Sequence, residues 1–160
     1  MKKLSHTLNF EEYDSINELD SIGKKLIEIA QSKLENAYAP YSKFKVSAAL
    51  LMSNGEIICG NNQENAAYPS GLCAERTAIF YAMSRFPHDK IKAIAVVAQN
   101  ESNTLHQPVT PCGACRQVIS EYEKKDNPIT LYFQGSKQSK IWKFNSNCDL
   151  LPFGFEASSL

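Results

Sequence analysis

From Ser15 onward apolar residues fall at Ile22, Leu26, Ile29, Ala30 and Leu34, the spacing of a helix with one buried face. Ser15 or Ser21 is placed to cap its start. Pro40 must lie beyond its end, because the residue before a proline is pushed out of the helical region. Phe44 to Leu51 alternates and then becomes apolar, which predicts a strand, and Ser53-Asn54-Gly55 is a hairpin turn signal that returns the chain as a second strand over Glu56 to Gly60. Residues 61–71 are polar and turn-rich and predict a loop, of a length that is often functional. Cys73 then opens a helix that is apolar on most faces through Ala78, Ile79, Phe80, Ala82 and Met83, the pattern of a centrally buried helix, and Pro87 ends it. Ile91 to Ala98 is a nearly unbroken apolar run, as expected of a strand covered on both faces. Gln99 to Thr110 reads as loop, Gly113 to about Lys124 as a helix, Ile129 to Phe133 as a buried strand and Lys140 to Asn145 as an edge strand. A strand, a helix and a strand in succession predict a parallel crossover. The whole is an α/β chain: a three-layer α/β/α sandwich around a mixed sheet of about five strands.

A chain of 160 residues is expected to form one domain over 1–160, with residues 1–20 as an N-terminal extension that carries little pattern. Seventeen Lys and Arg balance seventeen Asp and Glu. Nucleic-acid and membrane surfaces want a basic excess, so neither is an expected partner. No stretch approaches the roughly 20 apolar residues that span a bilayer, and no signal-peptide run opens the chain; the expected location is the cytoplasm. There, five cysteines suit metal binding better than disulfides. Cys59 reads as a small buried strand residue, Cys148 as a similar one with more exposure, and His6, His88 and His106 as ordinary surface or loop histidines.

The chemistry concentrates in two stretches, Cys73-Ala74-Glu75-Arg76-Thr77-Ala78 and Pro111-Cys112-Gly113-Ala114-Cys115-Arg116-Gln117. The x-x spacing of Cys112 and Cys115 lets one turn present two sulfurs to one ion, Cys73 adds a third, and three protein ligands with a free position distinguish a catalytic zinc from a structural one. Zinc lowers the pKa of a bound water to about 7 and so makes hydroxide available at neutral pH. Glu75, the only acid within the two stretches, can serve as a proton shuttle. Three thiolates leave the centre electron-rich. Both stretches start helices, whose N-termini carry about half a positive charge, and Arg76 can donate to a thiolate as an outer-sphere partner. Arg116 stands open between such a donor and a solvated helix residue.

A Cys, x-Glu, then Pro-Cys-x-x-Cys is the pattern of the zinc deaminases. Within that class the chain resembles the small homotetrameric cytidine deaminases with three cysteine ligands. The resemblance is carried also by Tyr38-Ala39-Pro40-Tyr41-Ser42-Lys43-Phe44, by Glu64-Asn65-Ala66-Ala67-Tyr68 and by Leu150-Leu151-Pro152 with Phe155, in one order over roughly residues 22–155. It implies hydrolysis of cytidine and 2′-deoxycytidine to uridine and 2′-deoxyuridine plus ammonia, in pyrimidine salvage, with one Zn²⁺ per subunit and attack of zinc hydroxide on the pyrimidine C4. It further implies that Asn62 and Glu64 bind the ribose hydroxyls and that Phe44 stacks on the base. The backbone of Ala74 would bind the ring carbonyl and the carbonyl of Thr110 would orient the leaving amino group. Phe155 would reach a neighbouring subunit's site, although Phe153 is also available, and Ala66 to Tyr68 would lie at a subunit contact.

Two alternatives stand beside this reading. The same chemistry could act on another aminopyrimidine, such as blasticidin S, or on a nucleotide. A non-catalytic protein with a structural zinc would need a fourth ligand, which Cys59 or Cys148 could supply.

Overall fold

The computed structural model of the chain describes residues 1–102, 104–156 and 160. Its sheet has six strands in the order β1-β6-β5-β4-β2-β3. In chain order these are β1 (Glu11–Tyr13), β2 (Phe44–Met52), β3 (Ile57–Asn61), β4 (Ile91–Asn100), β5 (Thr130–Gln134) and β6 (Ile141–Phe144), with helices α1 (Ser21–Ser32), α2 (Ala74–Arg85) and α3 (Gly113–Tyr122). β4 and β5 are parallel neighbours joined through α3, and every other pairing is antiparallel. The sheet is therefore mixed, as its apolar runs predict.

Alternation along β2 assigns its residues to two cores. Ala48 and Leu50 face α2 and α3 together with Ile94, Val96, Leu131 and Phe133. Ala49 faces α1 with Ala95, Val97 and Tyr132. Successive side chains of a strand point to opposite faces, so an apolar run such as β4 supplies both cores and fixes three layers.

Three expectations are corrected. The sheet has a sixth strand, β1, built from the N-terminal extension, and it covers β6, so 141–144 is not the sheet's edge. Three residues of sequence Glu-Glu-Tyr carry no strand pattern; cross-strand partners hold them. Glu12 accepts from Trp142 Nε1 at 2.8 Å and pairs with Lys140, while the Phe10 ring stacks on Phe144 at 5.3 Å and meets Trp142 edge-on at 5.2 Å. Helix α1 is capped by Asp20, not by Ser15 or Ser21: its carboxylate accepts from Gly23 N at 2.8 Å. And α2 buries only one side within the chain, leaving Phe80 and Tyr81 exposed. At the hairpin, Gly55 takes a φ of 90°, which a glycine adopts without strain.

Asp20 also accepts from the hydroxyl of the buried Tyr132 at 2.8 Å. Partial burial pushes its carboxyl up, but the Gly23 N–H, the Tyr132 hydroxyl and Lys143 outweigh that and hold it below the ordinary aspartate range. A depressed carboxyl contributes stability above its unfolded value, near 3.9, and loses it as pH falls through the folded pKa. Asp20→Ala removes a cap worth about 1 kcal/mol and orphans a hydroxyl at about 1–3 kcal/mol. The thermal midpoint should fall by roughly 5–10 °C at pH 7, and by clearly less at pH 3, which a pair of melting curves checks.

Candidate active site

Two helix starts meet at the site. Cys73 is the N-cap residue of α2 and Cys112 that of α3, and neither side chain is spent on capping. The approach to Cys73 is fixed by a two-way backbone bridge, Gln63 N to Leu72 O at 2.8 Å and Leu72 N to Gln63 O at 2.9 Å. The first turn of α2 is closed by Thr77, whose N–H and hydroxyl both donate to Cys73 O. Cys115, one turn into α3, is fully buried.

The three thiols form a cluster whose sulfurs lie within 4.8 Å of one another. Cys73 Sγ is 3.8 Å from Cys112 Sγ, and Cys112 Sγ is 3.6 Å from Cys115 Sγ. Tetrahedral zinc with Zn–S bonds near 2.3 Å requires sulfurs about 3.8 Å apart, so the residues present fit that ion. Cys59 and Cys148, weighed as fourth ligands, are not in the cluster. Cys59 is half-buried on β3 rather than fully buried, and Cys148 is exposed against Glu123.

The surroundings favour thiolate at Cys73, whereas the hydrogen bond to Cys73 and burial push the Cys115 thiol up. Hydrogen bonds from Cys115, Arg76 and Cys112 overcome burial and draw the Cys73 thiol down to about 5. Arg76 Nη2 lies 3.7 Å from Cys73 Sγ, so the arginine faces sulfur as its position after Glu75 suggested. Both helix N-termini direct their positive ends at the cluster.

Glu75 is 4% exposed. Burial pushes its carboxyl up and the negative charge of Cys73 adds to that, against the opposing pull of hydrogen bonds and of Arg76. A buried acid in the field of the Cys73 thiol and of Arg76 is suited to exchanging protons.

Beside Cys73 opens a cavity of about 500 Å³, lined by Tyr41, Ser42, Asn62, Gln63, Glu64, Asn65, Tyr68, Gly71, Leu72, Cys73 and Arg76. That volume is in the range of small-molecule sites. Asn62 joins β2 to the cavity wall, donating Nδ2–H to Phe44 O at 2.8 Å and accepting Val46 N–H on Oδ1 at 2.8 Å. One amide hydrogen and one lone pair remain to it. Glu64 accepts from Tyr41 N at 2.9 Å and from the Ser42 hydroxyl; the Ser42 bond leads in holding its carboxyl below the ordinary range. Lys43, next in the chain, takes a positive φ of 56°, a conformation uncommon outside glycine that orients this turn.

Comparison with known proteins adds the family. The family model described as "Cytidine and deoxycytidylate deaminase zinc-binding region" matches residues 20–130. The chain belongs to this family. It is 45% identical over 135 residues to a cytidine deaminase of Halalkalibacterium halodurans, covering 84% of this chain and 95% of that one. It is 50% identical over 108 residues to a cytidine deaminase of Sporosarcina psychrophila, covering 68% and 75%. The crystal structure of the cytidine deaminase from Burkholderia pseudomallei superposes with a TM-score of 0.70 at 40% identity, covering 82% of this chain and 97% of that chain. The family is zinc-binding and its members are hydrolytic deaminases, in agreement with the thiol cluster.

Of the residues singled out in the sequence, the structure brings together Cys73, Glu75, Arg76, Cys112 and Cys115 at the helix starts and Asn62 and Glu64 in the adjoining cavity. Phe44 sits at the head of β2, tied to Asn62 through its carbonyl. Ala74 is buried at the first residue of α2, and Thr110 lies in the loop before Cys112. Phe155 is exposed and lines a separate cavity of about 290 Å³ beside Ser120 and Cys148, which does not include Cys73, Cys112 or Cys115. Sequence reasoning passed over Tyr41 and Ser42 as site residues, although both lie in a quoted motif; their backbone and hydroxyl contacts to Glu64 leave no trace in spacing. Arg116 faces no sulfur. Its guanidinium binds Pro111 O, Leu150 O and Thr110 Oγ1.

Proposed function

We propose that the chain hydrolyses cytidine and 2′-deoxycytidine to uridine and 2′-deoxyuridine, releasing ammonia, as a zinc-dependent deaminase of pyrimidine salvage. The observation that carries this is the three-sulfur cluster at two helix N-termini with a buried carboxyl, Glu75, in the first turn of one of them. Cys73, Cys112 and Cys115 would hold the zinc. When bound, the ion supplies a Lewis acid that makes water a competent nucleophile near neutral pH.

Glu75 takes one proton from the attacking water and delivers it to the ring nitrogen next to C4; it then takes the remaining proton of the hydroxyl added at C4 and passes it to the amino group, which leaves as ammonia while the C4 carbonyl forms. Burial pushes its carboxyl up, which favours the proton-carrying form it needs in order to donate. Asn62 and Glu64 would receive the sugar hydroxyls, the amide through its remaining hydrogen and lone pair and the carboxylate as acceptor. Phe44 would cover the base, the N–H of Ala74 at the positive end of α2 would hold the ring carbonyl, and the Thr110 carbonyl would receive the leaving amino group.

A free nucleoside suits this cavity better than a nucleotide. Glu64, held below the ordinary carboxylate range, lines it, and the one cation of the lining, Arg76, is directed at Cys73; a phosphate there would meet a carboxylate. Balanced net charge argues in the same way against a polynucleotide. Among the described residues no helix is long and apolar enough to cross a membrane. We place the protein in the cytoplasm, where ligand thiols stay reduced, as a homotetramer with shared sites. Support for the assembly is the exposed apolar set Tyr68, Phe80, Tyr81, Phe153 and Phe155, with Phe155 reaching a neighbouring site.

The test follows the ultraviolet absorbance of cytidine on mixing with zinc-loaded protein, with zinc measured on the same sample. Cytidine absorbance should fall, cease to fall after removal of zinc by a chelator, and resume when one equivalent is returned. No change with fully loaded protein would overturn the reading. Parallel runs with deoxycytidine, deoxycytidylate and blasticidin S rank the substrates, and a higher kcat/KM for blasticidin S than for cytidine would reassign them.

A further inference from the structure

We propose that Arg116 is a positioning residue: its guanidinium ties the loop that delivers Cys112 to the root of the C-terminal tail, and so sets where the Cys112 thiol and the tail both stand. The three bonds of this one side chain reach three separate acceptors. Nε donates to Pro111 O at 2.8 Å, Nη2 to Thr110 Oγ1 at 3.1 Å and Nη1 to Leu150 O at 3.0 Å. The first two acceptors belong to the two residues immediately before Cys112. The third lies in the segment that leads to Phe155.

The tie is braced from behind. Asn147, 1% exposed, donates to the Arg116 carbonyl at 2.9 Å, and its own carbonyl accepts from Leu150 N and Leu151 N at 2.9 Å each. The neighbouring Gln117 donates from Nε2 to Phe155 O at 2.8 Å. Two consecutive residues of α3 thus hold the tail at both ends, and one of them also holds the ligand loop. Only a planar fork of donors can serve three acceptors spread in this way; a lysine ammonium on a flexible stem cannot. Loss of an outer partner of a metal ligand typically costs 10–100-fold in metal affinity or activity.

The kinetic half of the test rests on the deaminase reading; the metal half does not. Arg116→Ala and Arg116→Lys are made in the full chain. Zinc affinity is measured by competition with a chromophoric chelator, the visible spectrum is recorded after substitution with cobalt, and kcat and KM are measured for cytidine. Both variants should lose about 10–100-fold in zinc affinity, with displaced cobalt absorption bands and a fall in kcat that exceeds any rise in KM. Zinc affinity within threefold of the parent together with an unchanged cobalt spectrum overturns the proposal, as does a lysine variant equal to the parent. If the alanine and lysine chains are insoluble, Thr110→Val removes one acceptor alone, and its cobalt spectrum decides by the same criterion. A parent chain inert toward cytidine sinks the functional reading while leaving the cobalt and affinity results to judge Arg116.

Discussion

Glu75→Gln should retain one zinc per chain and lose turnover by about 10²–10⁴-fold, the usual contribution of a positioned acid–base group. That corresponds to about 3–5 kcal/mol of transition-state stabilisation. The amide matches the carboxyl in size, so the packing of α2 against β2 and β3 is kept. It cannot accept the proton of the attacking water or hand one to the ring nitrogen. Among the described residues the carboxylate that lines the cavity, Glu64, is already engaged by Ser42 and the Tyr41 N–H. Because a carboxyl that burial penalises when ionised is replaced by a neutral amide of the same size, the thermal midpoint should hold or rise, the familiar exchange of stability against activity at a functional site. Steady-state kinetics, metal analysis and a melting curve on one preparation check all three. Turnover within tenfold of the parent would remove Glu75 from the proton transfers.

The chemistry of this site was legible in the sequence because metal ligation is a matter of spacing. Cys112 and Cys115 sit one turn apart, and Cys73 and Glu75 open another helix; these are local facts, and the fold had only to bring two helix starts together. The parallel pair β4 and β5 was legible for the same reason, from apolar runs flanking a helix. What spacing does not encode is who satisfies whom. Arg116 stood undecided between sulfur and solvent because its acceptors are backbone oxygens, and one of them, Leu150 O, is 34 residues away. β1 was missed because its hold on β6 lies in Phe10, Glu12 and their partners across the sheet, not in any alternation of its own. The cap of α1 went to Asp20 rather than Ser15 or Ser21 because a carboxylate there also meets the Tyr132 hydroxyl, a partner 112 residues on. Phe80 read as core because periodicity reports that a face is apolar without reporting what covers it.

Gly60→Ala should damage the site from the opposite layer. A Cβ built on Gly60 would stand 2.4 Å from Ala78 N and 2.6 Å from Ala74 O. Both are backbone atoms of α2, so no side chain can swing aside. β3 is held in turn to β2 by an antiparallel ladder with Ala48 opposite Gly60, which leaves the helix as the part that moves. Overpacking of this kind costs typically 1–3 kcal/mol, and with backbone on both sides the upper end, about 3 kcal/mol, is expected. The consequence for catalysis is larger than for stability. Cys73 and Glu75 ride on the first turn of α2, whereas Cys112 and Cys115 belong to α3, so a shift of α2 away from β3 changes the distance between the two halves of the thiol cluster. A displacement of about 1 Å in a reacting constellation can cost 10²-fold. Gly60→Ala should therefore fold with a lowered thermal midpoint, bind zinc more weakly, and lose at least about 10²-fold in kcat/KM, although residue 60 touches neither metal ligand nor cavity. The control is Gly55→Ala in the hairpin turn, where the added Cβ meets nothing within 4 Å but the φ of 90° is strained. It should lower stability and leave kcat/KM near the parent value. Equal losses of activity in the two variants would show that stability, rather than the approach of β3 to α2, controls the site.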